Sequence, residues 1–260
     1  MKTLLRTFNL HTVCEEARCP NIGECFSEKH LTFIILGDRC TRNCKFCDVR
    51  TGTPLPPDER EPYRIAKFVK ELGLKKVIIT SVTRDDLKDG GALHFYKTVR
   101  AIKEMDEKIR VEVLTPDFKG HIPSLYLITS SGAEILSHNI ESVKRLYHFL
   151  RPNSDYKRSL EVLRFYKENS SAIVKSGFMV GLGETQEEVY ELLEELKGQG
   201  CDIVVIGQYF QPSSKAIKVF EYVADEIFNR YEEYGKKLGV KVMAGRYHRS
   251  SYVEKNLEPQ

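Results

Sequence analysis

The 260-residue chain lacks any apolar run long enough to span a membrane. Its clearest apolar runs, Phe33 to Leu36 and Ile203 to Ile206, fall far short of the roughly 20 residues that a span requires. The opening residues, 1–6, contain neither a sustained apolar stretch nor a small-residue cleavage site, so no export signal is indicated. We therefore expect a cytoplasmic protein that does not act at a membrane.

The chain also lacks an excess of charge of either sign. Lysine and arginine number 40 against 37 aspartates and glutamates, and basic runs are no longer than a pair such as Lys236-Lys237. This balance argues against a nucleic-acid partner. No P-loop is present, and Gly181-Leu-Gly183 alone predicts a tight turn. With 41% hydrophobic and 30% charged residues, the composition is that of a globular protein.

From residue 31 onward, short β-rich runs alternate with longer helical patterns. The strands are predicted at 31–36, 77–80, 110–114, 133–136, 176–180, 203–206 and 240–243, and the helices at 62–74, up to 105, 122–131, 139–148, 155–168, 186–199 and 217–238. Thr185 followed by Glu188 predicts a capping box at the start of one helix. The repeated strand–helix units predict an α/β fold, a partial (β/α)6 TIM-like barrel, with a doubly wound sheet as the alternative. Either fold would gather ligands at the carboxyl ends of its strands.

Cysteine is the residue type whose distribution is unusual. Six of the seven cysteines lie between positions 14 and 47. An odd count and the absence of an export signal argue against a disulfide framework, so reduced thiols that hold metal are expected. Cys201 lies in an apolar run and is predicted to be buried and inert.

Cys40, Cys44 and Cys47 have the spacing C-x3-C-x2-C directly after the first predicted strand. Three thiolates from one loop can hold three irons of a 4Fe–4S cubane and leave the fourth iron open. Zinc is the alternative, but it usually takes four ligands, and no second C-x2-C pair or nearby histidine completes such a site. The polar residues Arg42 and Lys45 argue against three core cysteines. This loop therefore predicts an iron–sulfur cluster.

A second three-thiol set precedes the first predicted strand. Cys14, Cys19 and Cys25 have the spacing C-x4-C-x5-C, and no fourth cysteine accompanies them. The segment 1–30 that carries them is predicted to be an appended extension rather than a separate domain. The barrel would then cover 31–245, and 246–260 would form a tail.

The loop of Cys40 to Cys47, with its aromatic Phe46, resembles the radical S-adenosylmethionine superfamily. Taken with the first set, the chain resembles the lipoyl synthase family from about residue 4 to 252. The motifs that carry this resemblance are 9–25, 33–47, Arg84-Asp85-Asp86-Leu87, Asp89-Gly90-Gly91-Ala92, 113–118, 138–141, 177–185, 207–209 and Arg249-Ser250-Ser251-Tyr252.

The resemblance implies two 4Fe–4S clusters and S-adenosylmethionine. Cys40, Cys44 and Cys47 would hold the cluster whose electron cleaves S-adenosylmethionine to the 5′-deoxyadenosyl radical. Phe46, Asp89, Gly90, Gly91 and Asn139 are the expected contacts for S-adenosylmethionine. From the residues alone, Asp89 to Gly91 indicates a turn and Asn139 a helix N-cap.

The auxiliary cluster would be held by Cys14, Cys19, Cys25 and a serine of the Arg-Ser-Ser-Tyr motif, for which we choose Ser251. In the lipoyl synthase family, which this chain resembles, that cluster gives up sulfur to carbons 6 and 8 of a protein-bound octanoyl-lysine. The residues expected to act in catalysis are therefore Ser251 and the three cysteines that would hold the other cluster, Cys40, Cys44 and Cys47.

The resemblance implies two kinds of partner. Octanoylated lipoyl carriers, such as lipoyl domains and the glycine-cleavage H protein, would be substrates, and a ferredoxin or flavodoxin would be the reductant. The alternatives are a biotin synthase-like or methylthio-transferring radical enzyme, an iron–sulfur electron carrier and a zinc-binding interaction module.

Overall fold

A computed structural model describes residues 1–251; Tyr252 and the remainder of the predicted tail lie outside the described residues. The helices are α1 Lys2–Thr7, α2 Val13–Glu16, α3 Ile22–Ser27, α4 Glu61–Leu72, α5 Ala92–Met105, α6 Ile122–Thr129, α7 Lys144–Leu150, α8 Tyr156–Asn169, α9 Gln186–Gly198 and α10 Asp225–Leu238. The strands are β1 His11–Thr12, β2 Thr32–Ile35, β3 Arg39–Cys40, β4 Arg50–Thr51, β5 Lys76–Ser81, β6 Arg110–Leu114, β7 Ile135–Ser137, β8 Ile173–Val180, β9 Ile203–Gln208 and β10 Lys241–Gly245. Within this part of the chain, no helix has the length and apolarity to cross a membrane.

One sheet organises the molecule, with the strand order β1-β2-β5-β6-β7-β8-β9-β10. The strands from β2 to β10 are parallel to their neighbours, and β1 pairs antiparallel with β2. The order follows the chain without reversal, whereas a doubly wound sheet reverses at its switch point. The predicted partial barrel is therefore confirmed and the doubly wound alternative is wrong. The sheet stays open because β1 and β10 do not pair with each other.

The main core lies between the sheet and its outer helices. Helix α4 shows why: its apolar positions recur at helical spacing, and Ile65, Phe68 and Val69 are at most 1% exposed. The ring of Phe68 packs edge-on against Phe33 of β2 and against Phe8. Cys201 is buried in this same core, as predicted.

The extension before β2 is tied to this core. Leu5 and Leu10 are buried among the core residues, and β1 extends the sheet by pairing His11 and Thr12 with Ile34 and Phe33. The first cysteine set therefore begins directly beside a core strand.

Two predicted helices begin later than their sequence pattern suggests. The helix predicted at 139–148 begins at Lys144, because the chain at Glu141 instead exchanges backbone hydrogen bonds with β8 at Gly177 and Met179. The helix predicted at 217–238 begins at Asp225. The amides of 217 and 220 donate to Lys45 and Gly181, so this segment runs across the top of the barrel. Tertiary hydrogen bonds override helix propensity in both places.

The capping box predicted at Thr185 is confirmed. The Thr185 hydroxyl accepts from the Glu188 amide at 3.3 Å, and the Glu188 carboxylate accepts from the Thr185 amide at 2.9 Å. These bonds satisfy two donors at the start of α9 that the helix itself cannot satisfy.

We expect Thr185→Ala to lower the free energy of unfolding by about 1 kcal/mol, because one helix amide loses its acceptor. Urea unfolding under anaerobic conditions would measure this change. Thr53→Ala, at an exposed loop position after β4, is the control and should lie within about 0.5 kcal/mol of the parent. Equal midpoints for the two variants would contradict the capping role.

Candidate active site

The loop of Cys40, Cys44 and Cys47 lies at the carboxyl end of β2. Strands β3 and β4 pair in parallel at its two ends, and the Gly52 amide donates to the Cys40 carbonyl at 3.0 Å. The Lys45 amide donates to the Leu150 carbonyl at 2.9 Å, which ties the loop to the end of α7. The loop is thus held from both sides at the strand edge where this fold binds ligands.

The three thiols of this loop are free and interact with one another. Desolvation by the surrounding chain raises the pKa of Cys47 to about 12 although this residue is exposed, and the charges of Cys44 and Cys40 add to the shift. Desolvation likewise raises the pKa of Cys44. The amides of Arg42 and Thr83 donate to the Cys40 sulfur at 3.4 and 3.3 Å. Amide donors to sulfur are typical of thiolate environments, and they suit a bound cluster.

Arg42 anchors the loop to the barrel. Its side chain is 2% exposed; it donates to both carboxylate oxygens of Asp85, at 2.8 and 2.9 Å, and to Asp117 at 2.6 Å. Burial lowers the pKa of Arg42, but the hydrogen bonds to the two aspartates outweigh it and raise that pKa above its ordinary value. Burial raises the pKa of Asp117, yet Arg42 prevails and holds it at about 2. Arg42 and Asp117 are therefore charged, and Arg42 is hydrogen-bonded to both aspartates under the loop.

The motif Arg84-Asp85-Asp86 divides its carboxylates between two arginines. Asp85 binds Arg42, whereas Asp86 accepts from Arg84 at 2.8 Å. Arg84 is 1% exposed and also donates to the carbonyl of Leu36 at 3.2 Å. The segment after β5 thus fixes both the start of the cysteine loop and the end of β2.

Asn139, Glu141 and Arg151 lie close to the same thiols. Burial raises the pKa of Cys44, and Arg151, which hydrogen-bonds to that thiol, opposes the shift. Burial likewise raises the pKa of Glu141, whose charge acts on Cys44 and Cys47. Within residues 1–251, the Asn139 Oδ1 and Arg151 Nε atoms are buried and have no hydrogen-bond partner. Buried polar atoms rarely stay unpaired, so both are suited to a polar ligand. Helix α7 has Val143 at its N-cap, so the capping interpretation of Asn139 is wrong.

The other predicted contacts for S-adenosylmethionine have different surroundings. Phe46 is partly buried against the cluster formed by Leu150, Leu182 and Tyr209. The carboxylate of Asp89 accepts from the amides of Gly91 and Leu93, each at 2.9 Å, at the start of α5.

Gly90 and Gly91 permit a close approach of the backbone to its neighbours. A Cβ at Gly90 would lie 2.9 Å from the ring of Phe118, and one at Gly91 would lie 2.3 Å from Leu36. The turn expected at 89–91 is present, with positive φ at both glycines.

The thiols of Cys14, Cys19 and Cys25 form a second group in the extension. Cys14 and Cys25 are buried. Burial raises the pKa of Cys14 to about 12 and of Cys25 to about 11, and in each case the charge of Cys19 adds to the shift. The short helix α2 carries Cys14, α3 carries Cys25, and Cys19 lies in the turn between these helices.

The chain after β10 meets this extension. The Asn21 side chain donates to the Tyr247 carbonyl at 2.8 Å. Burial lowers the pKa of Arg249, and the charge of Cys19 opposes this, which places the guanidinium close to that thiol. The C-terminal motif and the first cysteine set, far apart in sequence, therefore share one location.

Three glycines make room for this tail on consecutive strands. A Cβ at Gly177 would lie 2.1 Å from the Ser250 hydroxyl, and one at Gly207 would lie 2.1 Å from the His248 carbonyl. A Cβ at Gly245 would lie 2.3 Å from the His248 ring. The tail thus lies directly against the backbones of β8, β9 and β10.

A cavity of about 820 Å³ opens beside the cysteine loop and is lined in part by Cys44 and Cys47. Its wall also includes Glu15 and Arg18, which belong to the extension that carries the first cysteine set. Arg18 and Asp48 close the gap between extension and loop with an ion pair at 3.1 Å. This volume falls within the roughly 300–1,000 Å³ of small-molecule sites.

The donor chemistry fits clusters better than single ions. Among residues 1–251, no three histidine, cysteine, aspartate or glutamate side chains are grouped tightly enough to hold one metal ion. A structural zinc ion needs four such ligands, whereas a cubane takes one thiolate at each of three irons. Two separate sets of three mutually interacting thiols suit the second case.

Comparison with known proteins agrees with this geometry. Residues 34–196 match the model of the Radical SAM superfamily. The chain is 52% identical over 252 residues to the lipoyl synthase of Caldicellulosiruptor saccharolyticus, covering 96% of this chain and 88% of that protein. The chain belongs to the lipoyl synthase family. The lipoyl synthase of Caldicellulosiruptor bescii is 51% identical, with 97% and 88% covered.

Among solved structures, methylornithine synthase has the same fold. Its TM-score is 0.61 at 16% identity, with 80% of this chain and 62% of that chain covered. Membership of the lipoyl synthase family makes the chain a radical S-adenosylmethionine enzyme that inserts sulfur, and it implies a 4Fe–4S cluster, S-adenosylmethionine and a lipoyl-carrier protein as substrate.

Several residues of this lipoyl synthase family member escaped the sequence argument. Glu141, Arg151 and Lys175 carry ordinary charges in ordinary contexts, and nothing in the local pattern marks them as buried. The sequence argument uses Arg42 only as evidence of a polar loop. The adjacent carboxylates of Asp85 and Asp86 could have indicated buried arginines nearby, since two carboxylates in a row after a strand require cationic partners.

We expect Arg42→Lys to weaken the cysteine loop, because lysine cannot reproduce the paired bonds to Asp85 and the bond to Asp117. Loss of a hydrogen bond between charged groups costs about 2 kcal/mol. Anaerobic urea unfolding and iron bound per chain after reconstitution would measure the effect. Arg39→Lys, at an exposed position of the same loop, is the matched control. If both variants unfold at the same urea concentration and bind equal iron, the anchoring role is wrong.

Proposed function

We propose that this chain converts a protein-bound octanoyl-lysine into a lipoyl group by inserting sulfur at carbons 6 and 8. The observation that carries this proposal is that the chain holds two separate sets of three free thiols, and that a cavity lined by Cys44 and Cys47 also has residues of the extension in its wall. One set suits S-adenosylmethionine cleavage and the other suits sulfur donation. The cavity is the proposed site of the acyl arm.

Cys40, Cys44 and Cys47 would hold the first 4Fe–4S cluster through three of its irons. That cluster, when bound, supplies the electron that cleaves S-adenosylmethionine and so allows hydrogen to be removed from an unactivated carbon. The protein's part is to position S-adenosylmethionine and to exclude water. The unpaired Oδ1 of Asn139 is one proposed contact, and Phe46, Asp89, Gly90 and Gly91 are the others.

Cys14, Cys19, Cys25 and Ser251 would hold the auxiliary cluster, whose sulfur atoms are the proposed donors. The bond between Asn21 and Tyr247 and the proximity of Arg249 to Cys19 support a shared site for extension and tail. A Cβ at Gly177 would lie 2.1 Å from the Ser250 hydroxyl, so that hydroxyl packs against the wall of the barrel. This favours Ser251 over Ser250 as the ligand.

The proposed division of the chain follows from these roles. Residues 1–30 carry auxiliary ligands, 31–245 form the barrel that binds S-adenosylmethionine, and 246–260 form the tail that supplies the serine. Lipoyl domains and the glycine-cleavage H protein are the proposed carriers, with a ferredoxin or flavodoxin as electron donor in the cytoplasm.

The reconstituted protein should add two sulfur atoms to an octanoyl-lysyl peptide when given S-adenosylmethionine and dithionite without oxygen. Mass spectrometry would follow the peptide and 5′-deoxyadenosine together. Replacing Cys40, Cys44 and Cys47 by alanine should abolish both products. Replacing Cys14, Cys19 and Cys25 should abolish sulfur insertion while 5′-deoxyadenosine still forms, because only the donor is lost.

Each alternative predicts a different result in this assay. A radical enzyme with another acceptor would form 5′-deoxyadenosine and leave the peptide unchanged. An electron carrier or a zinc module would form neither product, and the zinc module would bind zinc in place of iron. In protein loaded with iron, an unchanged peptide would overturn the proposed reaction, whether or not 5′-deoxyadenosine forms.

Ser251→Ala should eliminate sulfur insertion while preserving 5′-deoxyadenosine formation, because the auxiliary cluster loses its only oxygen ligand. Ser250→Ala is the matched control and should retain sulfur insertion within about threefold. The measurement is sulfur inserted per chain in a single turnover. Full insertion by Ser251→Ala, or loss only in Ser250→Ala, would exclude Ser251 as the ligand.

A further inference from the structure

The interior of the barrel contains a buried ion pair that the proposed chemistry does not use. Lys175 of β8 is 4% exposed and Glu112 of β6 is fully buried, and their side chains form a close ion pair. The Ser137 hydroxyl donates to the same glutamate at 3.0 Å, and the Lys76 ammonium lies 3.9 Å from its other oxygen. Two cations thus share one carboxylate inside the sheet.

Lys175 has one further partner, and that partner belongs to the tail. Its ammonium donates to the carbonyl of Ser250 at 2.6 Å. Gly177 lies two residues further along β8 and therefore on the same face of the strand, where the Ser250 side chain packs against it. Lys175 thus holds the backbone carbonyl of Ser250, and Gly177 makes room for the side chain of the same residue.

A buried ion pair contributes little to stability by itself, since desolvation offsets the attraction of its charges. In some proteins such a pair instead selects one arrangement of the groups around it, because each buried charge requires a partner. Here the arrangement includes a backbone carbonyl one residue before the proposed ligand Ser251. An apolar pair of the same size would fill the barrel equally well but could not hold that carbonyl.

We propose that Lys175, oriented by Glu112, is a positioning residue that fixes the tail so that the Ser251 hydroxyl reaches the auxiliary cluster. This inference rests on the proposed function, in which Ser251 is a ligand. Lys175 acts through the Ser250 carbonyl and touches no reacting atom. Loss of the ammonium should therefore release the serine while the three cysteines stay in place.

The test compares Lys175→Met with Ser251→Ala in full-length chain whose Cys40, Cys44 and Cys47 are alanine, so that only the auxiliary set binds iron. Mössbauer spectroscopy reports the serine-ligated iron, a ferrous chelator reports the rate of iron release, and hydrogen exchange reports the tail at 246–251. Lys175→Met should give the Ser251→Ala spectrum, release iron about tenfold faster than the parent and exchange faster in the tail. That factor corresponds to one lost hydrogen bond to a charged group.

Two further variants separate positioning from general damage. Lys167→Met removes an exposed lysine that pairs with Asp202 outside the barrel, and it should match the parent in all three measurements. Lys175→Met with Glu112→Gln removes both members of the buried pair. The double variant leaves no unpaired carboxylate in the barrel, so it should fold even if Lys175→Met alone does not. It should still release the serine.

The outcomes are distinguishable. If Ser251→Ala leaves the spectrum of the parent unchanged, the ligand assignment fails and the role of Lys175 fails with it. If Ser251→Ala alters the spectrum but the lysine variants keep the parent's spectrum, iron release and tail exchange, only the positioning role is overturned.

Discussion

The guanidinium of Arg42, held between Asp85 and Asp117, is the interaction on which the cysteine loop depends. A short loop with three thiols and several polar residues buries little apolar surface. Hydrophobic packing alone therefore cannot hold it in one conformation. Three charge-assisted hydrogen bonds beneath it supply the rigidity that packing does not. Because the two aspartates follow neighbouring strands β5 and β6, the loop inherits its position from the sheet.

The proposed auxiliary site depends on contacts between distant segments instead. Its proposed ligands come from the two sides of the barrel, so no single loop can position them. The tail lies against Gly177, Gly207 and Gly245 because these strands carry no side chain there. In the other set, one short loop places all three cysteines. Here the tail is placed by backbone contact with the sheet and by the hydrogen bond from Asn21 to Tyr247.

The sequence predicted the architecture well, because alternating periodicities define strands and helices locally. β6 agrees with the prediction at both ends, and the capping box at Thr185 was visible from its residues. The late start of α7 and α10 was not predictable, since hydrogen bonds to β8 and to the cysteine loop decide it. The assignment of the two cysteine sets to clusters, made from their spacing, stays a prediction. The burial of Arg42 and Lys175 depends on distant partners that no local pattern reveals.

The hydrogen bond between Asn21 and Tyr247 joins positions 226 residues apart. Contacts of such long range form late in folding, since the entropy of closing the chain is recovered only when the intervening strands have paired. The extension can therefore meet the tail only on a sheet that is already assembled to β10. The full ligand set of the proposed auxiliary cluster, which includes Ser251 from the tail, would consequently be assembled only after the whole barrel has been built.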